Sequence, residues 1–228
     1  MAQKSAIIVE YSSRMRARRG PAAATSIARN LLEISIVFIL TMAAIWTPAG
    51  RLNSFFSISA AGCVVAFAIA AQWDARQMGL SRPLAGAGKI LLIGCVLCAL
   101  IWIGGLGFES VGPPYPVPWD RSWQYAIWAV VQEFILLSIF FVRLEPLIGC
   151  RRTVFAVSAL YTIAHIPNPV LTPLSFAGGL LFCEMFRRWR NIFPIGIIHA
   201  ALGLTIAASF PDKWLHHMRV GIGYLTLR

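Results

Sequence analysis

The sequence predicts an all-α polytopic membrane protein with about seven transmembrane helices, and three observations carry that reading. Of 228 residues, 58% are hydrophobic and only 13% charged, whereas an ordinary soluble domain is roughly one quarter charged. Seven apolar runs approach the length of about 20 residues that a bilayer crossing needs at helical rise. Lys and Arg then fall in alternate connections, as they do when basic loops are retained in the cytoplasm. A net charge of +11 would suggest nucleic acid for a soluble chain. No zinc-finger spacing, RNP-type aromatic run or basic heptad region accompanies it, so no nucleic-acid partner is expected. Five cysteines, Cys63, Cys95, Cys98, Cys150 and Cys183, fall in or beside apolar runs and are read as small buried thiols.

In chain order, residues 1–30 form a basic cytoplasmic arm, with Arg14, Arg16, Arg18 and Arg19 as a cluster suited to an anionic lipid surface. Residues 31–121 hold three helices and an outer loop, with spans at Leu31–Thr47, Phe55–Gln72 and Ile90–Gly107. The first run is too long for the apolar part of a cleaved signal peptide and stays as a span. The loop after the third span is stiffened by Pro113, Pro114, Pro116 and Pro118. Trp119, Trp123 and Trp128 with Tyr115 and Tyr125 read as an outer aromatic belt. Residues 122–210 form a core of four helices, at Trp123–Val142, Val154–Pro167, Leu171–Phe186 and Ile192–Phe210, and 211–228 form a C-terminal tail. The fifth and sixth runs are short and flank Ile166-Pro167-Asn168-Pro169. A re-entrant hairpin is the alternative to two spans there.

The sorting of charge sets the orientation. Fifteen Lys and Arg lie in one set of connections, among them Arg76, Arg82, Lys89, Arg143, Arg151, Arg152 and Arg187; only Arg51, Arg121, Lys213, Arg219 and Arg228 lie in the other. Seven spans with the N-terminus cytoplasmic and the C-terminus external satisfy this split, in a bacterial-type cell membrane.

An ionisable side chain within a span is costly unless paired or hydrated, and is a functional hypothesis by default. The clearest are Glu133, His165 and His199. At about 1.5 Å per residue they lie roughly 10 to 17 Å below the cytoplasmic ends of their helices, a matched depth that would let three helices share one pocket open to the cytoplasm. Tyr161 and His165, four apart, share a helix face. Gly196, His199, Ala200, Gly203 and Ala207 make a strip of small residues, and Ala177, Gly178 and Gly179 another, the pattern of closely packed membrane helices. Glu33 lies near the start of the first span and is expected to reach the interface, and Glu184 to pair with Arg187 or Arg188.

A carboxylate sharing a proton with an imidazole suits a general base that activates water, and a second imidazole can donate toward a developing oxyanion. Water activation inside a membrane points to hydrolysis of a bond in or near the bilayer. There is no His-Glu-x-x-His zinc motif, no Gly-x-Gly-Asp motif and no Gly-x-Ser-x-Gly elbow. Four histidines are too few for a membrane di-iron enzyme, and no repeated half supports a transporter.

Four segments then stand in order: Gln132-Glu133-Phe134-Ile135-Leu136-Leu137, Tyr161-Thr162-Ile163-Ala164-His165, Ser175-Phe176-Ala177-Gly178-Gly179-Leu180 and His199-Ala200-Ala201-Leu202-Gly203. With them, residues 122–210 resemble the CPBP family of intramembrane proteases, which includes type II CAAX prenyl endopeptidases and Abi-like immunity proteins. That family carries Glu-Glu-x-x-x-Arg, aromatic-x-x-x-His, a Gly-rich span and His-x-x-x-Asn. Here Gln132 replaces the first Glu, Leu137 the Arg and Gly203 the Asn.

The resemblance implies an intramembrane glutamic-type endopeptidase acting on a membrane-bound or lipidated peptide or protein from the cytoplasmic side, with membrane lipid as its surroundings. It implies that Glu133 and His165 activate the water and that His199 helps to hold the oxyanion. Gln132, Tyr161 and Gly203 support the pocket, and no cofactor is expected. Two alternatives stay open: a non-catalytic relative serving as immunity or assembly partner, and a metalloenzyme in which Glu133, His165 and His199 form a two-His, one-carboxylate set for a divalent metal.

Overall fold

The computed structural model describes residues 21–70, 73–106 and 119–226, with side chains from residue 26 and, in the third segment, from residue 122. The basic cluster at 14–19 and the proline-rich loop with Tyr115 lie outside the described residues, as does the side chain of Trp119. All regular structure among the described residues is helical. The helices are α1 (Pro21–Trp46), α2 (Arg51–Ala70), α3 (Ala87–Leu106), α4 (Trp119–Glu133), α5 (Val142–Ile148), α6 (Cys150–Ile163), α7 (Leu171–Trp189), α8 (Ile192–Ser209), α9 (Asp212–Leu215) and α10 (Gly221–Leu225). A wide-turned π segment, Phe134–Phe141, joins α4 to α5 without a break, and its last carbonyl bonds follow the i to i−5 pattern, Val142 N–H to Leu137 O.

Five described stretches are long and apolar enough to cross a membrane: Ser26–Trp46, Arg51–Ala70, Ala87–Leu106, Ser122–Ile148 and Ile192–Ser209. The expected count of seven is therefore not reached by length and composition. Helix α6 has 14 residues, short of the roughly 20 a crossing needs, and the last two turns of α7 carry Glu184, Arg187 and Arg188. The two form an antiparallel hairpin with its tip at 164–170. Helix α1 also begins ten residues before the expected Leu31, at Pro21, a residue suited to the first helical position.

Two ends of the bundle are distinguished by their polar bonds. At one, Asn191 is wholly buried: it accepts from Phe193 N–H at 3.2 Å and donates to Pro83 O and Ala85 O at 2.8 and 3.0 Å. Ile192 N–H donates to Gly79 O, Ser138 Oγ to Met78 O, and Arg190 pairs with Glu145. Arg143, fully buried, donates to Glu33 Oε2 at 2.6 Å and Phe67 O at 2.9 Å, and Glu33 also accepts from Arg29 at 2.7 Å. This end collects the Lys and Arg of the connections and is called the basic end below. Glu33 does not reach the interface as expected, because Arg143 folds inward and needs its charge. Glu184 does pair with both Arg187 and Arg188.

The opposite end is tied by Asn168, also wholly buried. Its oxygen accepts from Val170 and Leu171 N–H and its amide donates to Leu215 O and Arg219 O, both at 3.0 Å. Gly221 N–H donates to Ile166 O. The tail is thus folded onto the α6–α7 tip. All five cysteines are free, and Cys95 is exposed on the outer face of α3 rather than buried.

The core of the bundle lies where α8 meets α3 and α4 and where α6 meets α7. Gly196 and Gly203, two turns apart on α8, both face α4; a Cβ at Gly196 would meet Val130 Cγ2 at 2.9 Å. The strip of small residues is used for this close approach.

Candidate active site

Glu133 is the last residue of α4 and is fully buried. Opposite it, His199 lies two turns into α8. The His199 Nδ1 is 2.8 Å from Glu133 Oε1, and its Nε2 is 3.1 Å from the Tyr161 hydroxyl. A carboxylate can only accept, so Nδ1–H donates to Glu133, and the bare Nε2 of the neutral ring accepts from the tyrosine O–H. Phe182 stacks on the imidazole at 5.2 Å between ring centroids and 24° between planes. The ring is therefore held by two hydrogen bonds and one aromatic face. Glu133 Oε2 has no hydrogen-bond partner among the described residues, which leaves the carboxylate unsaturated and able to take up a proton.

His165 stands apart from this couple. It sits in the α6–α7 tip, its Nδ1–H donates to Tyr161 O at 2.7 Å, and its ring lies edge-on to Tyr161 at 4.5 Å. Its Nε2 is left as an acceptor. The expected pairing of Glu133 with His165 is thus replaced by Glu133 with His199, because α4 packs against α8 through the two glycines while α6 packs against α7. Among the described residues, no three His, Cys, Asp or Glu are grouped to hold a metal ion. Glu133 Oε1 meets His199 Nδ1 while the His165 ring is turned to Tyr161, so the two imidazoles and the carboxylate do not share one centre.

A cavity of about 500 Å³ connects these groups. Tyr161, His165, His199, Gln132 and Gly203 all line it, together with Tyr125, Trp128 and apolar residues of α3, α7 and α8. Tyr125 was read as part of an aromatic belt. Its hydroxyl instead fills the space beside Gly203, 1.9 Å from where a Cβ would stand. Only glycine one turn after His199 admits it, and that small residue was the signal in the sequence that a neighbour must enter there. Phe182, the stacking partner of His199, left no comparable signal, since one more Phe in an apolar run marks nothing.

The cavity extends from His199 away from the basic end. Toward the basic end, one or two turns beyond Glu133, Phe182 and His199, lie Leu137, Phe141, Phe186 and Ile195, each with no exposed surface. Phe141 and Phe186 meet edge to face at 5.5 Å, with the Arg190 guanidinium over both rings. The other lining residues, including Leu171, Leu174, Ile206, Met218 and Val220, lie toward the opposite end. Matched depth measures how far the site lies from each end but says nothing of which side is plugged.

The fold and site define an integral membrane helical bundle with a buried carboxylate–imidazole couple beside an apolar cavity. Residues 118–205 match the family model described as Type II CAAX prenyl endopeptidase Rce1-like, under half of the chain and the same part that carries the CPBP resemblance. The match covers Glu133, His165 and His199, so the segment that is similar to this family is the one that carries the site. No curated protein and no solved structure matches the chain.

Proposed function

We propose that this protein is an intramembrane endopeptidase that hydrolyses a peptide bond of a membrane-bound or lipidated polypeptide, with Glu133 and His199 as the water-activating couple. The observation that carries the reading is the hydrogen-bonded chain Glu133–His199–Tyr161, buried and ending at an apolar cavity. In an ordinary core, an ionisable pair at this depth would be a cost without return.

In the proposed step, a water donates to the Tyr161 oxygen, and the tyrosine passes its own proton to His199 Nε2. The imidazolium is stabilised by Glu133, which also fixes the tautomer. Hydroxide adds to the carbonyl carbon, the C–N bond breaks, and the proton held at His199 is returned through Tyr161 to the leaving nitrogen. The Tyr125 O–H and the Gln132 amide face the cavity as donors for the oxyanion, the place left by the residues that differ from the family pattern. His165 Nε2, an acceptor, positions the water or a substrate N–H.

The test is cleavage of single-span peptides by the purified protein in lipid–detergent micelles. The intact chain is expected to cleave, and Glu133→Gln and His199→Ala to lose at least about 10²-fold in rate while still inserting and purifying as the parent does. Undiminished cleavage in Glu133→Gln would overturn the mechanism. Absence of cleavage by the parent across a broad panel would favour a non-catalytic role.

A further inference from the structure

We infer that the site is entered from the non-cytoplasmic side of the membrane, and that its substrate is a membrane-anchored polypeptide whose cleaved bond is presented outside. The inference rests on the hydrolytic reading above and fixes which topological class of substrate can reach it.

Three independent observations converge. The first is charge. Of thirteen Lys and Arg side chains among the described residues, ten lie at the basic end and only Arg51, Lys213 and Arg219 at the other. The connections at the basic end are short, the condition under which basic residues hold a loop in the cytoplasm. The second is the plug. Between the Glu133–His199 couple and the basic end stands the layer of Leu137, Phe141, Phe186 and Ile195, fully buried. Beyond it lies the Arg143–Glu33 ion pair, itself buried. A peptide coming from the cytoplasm would have to part both. The third is the cavity itself, which runs away from that layer to the tail, where Met218 and Val220 contribute to its wall. The tail is held there by Asn168, which donates to the carbonyls of Leu215, ahead of this stretch, and of Arg219, within it.

A chain anchored in the membrane with its flank outside can therefore lay that flank along the tail and bring the adjoining bond down the cavity to His199. A lipidated cytoplasmic C-terminus meets only the closed end. The apolar wall, with Leu97 and Ile101 of α3 facing Leu174 and Leu181 of α7, suits the apolar residues that precede such a flank.

The test has two arms in intact cells expressing the full chain. Labelling with a membrane-impermeant maleimide is measured for Lys213→Cys in the tail and Ser81→Cys at the basic end, each against the parent chain. Lys213→Cys is expected to label from outside and Ser81→Cys only after permeabilisation; the reverse would overturn the inference. In the second arm, Val220→Cys and, separately, Met218→Cys are treated with the same impermeant reagent from outside. Cleavage by each is compared with its own untreated form and is expected to fall to the background of Glu133→Gln. Block from outside at either position supports the inference, and block at both only after permeabilisation overturns it. Cleavage that persists in both after complete labelling from either side overturns it as well, since the mouth would then lie elsewhere. The micelle assay of Glu133→Gln reads the hydrolytic mechanism without reference to sidedness, so failure of one proposal is told apart from failure of the other.

Discussion

Tyr125 illustrates how a single missing side chain admits a polar group from another helix. With glycine at 203, the phenol of α4 enters the space one turn after His199, and its hydroxyl bonds to no side chain or backbone group among the described residues. Tyr125→Phe removes only that oxygen. It is expected to lower kcat by about 10² to 10³, the effect of losing one oxyanion donor, with little change in thermal stability, as measured by cleavage kinetics and melting in micelles. Glu33 behaves oppositely. Its carboxylate is the partner of a fully buried Arg143, and Glu33→Gln leaves that guanidinium uncompensated. The expected loss is about 3–5 kcal/mol, seen as reduced yield and a lowered unfolding midpoint, and Glu33→Gln with Arg143→Met is expected to recover much of it. An acid two residues into an apolar run was legible as unusual; that it faced inward was not, because its partner lies 110 positions away.

At the scale of elements, two asparagines perform matching work at opposite ends. Asn191 caps α8 and ties it to the α2–α3 connection, while Asn168 caps α7 and ties it to the tail. Loss of a cap costs about 0.5–2 kcal/mol, and each residue here makes further bonds that would be left unmet. Asn191→Ala is expected to lower global stability. Asn168→Ala is expected to lower stability as well and, unlike Asn191→Ala, to raise proteolytic nicking in 211–226, checked by limited proteolysis and mass spectrometry. The π segment after Glu133 belongs to the same scale. A period of 3.6 extended from Glu133 would set Leu137 on the same face, whereas the wide turns shift the later residues and bring Ser138 to Met78 O and Arg143 to Glu33. Apolar composition is blind to that shift, since Phe134–Phe141 is hydrophobic on every face but one serine.

For the whole molecule, the proposed activation uses protein groups alone, with His199 bonded to Glu133 through Nδ1 and to Tyr161 through Nε2. Cleavage is expected to survive extended chelation with no loss of rate, and purified protein to carry well under one equivalent of transition metal by elemental analysis. Stoichiometric zinc or iron that is lost in both His165→Ala and His199→Ala would overturn this.

The membrane setting and the residues of the candidate site were legible in the chain itself. Glu133, His165 and His199 stand out because lipid-spanning segments exclude ionisable groups, and a rule about solvent needs no knowledge of packing. The ordered motifs around them identified the type of core, and the family match falls on the same segment. Tertiary structure alone decided the rest. Which histidine meets Glu133 depends on the close approach of α4 and α8, a distance set by glycines on one helix and bulk on the other. The expected count of seven is not confirmed at α6 and α7, where apolar composition reflects burial inside a hairpin as well as contact with lipid. The direction of the cavity depends on which side chains fill the layer beyond the couple. That is a property of four helices packed together, and no stretch of one helix contains it.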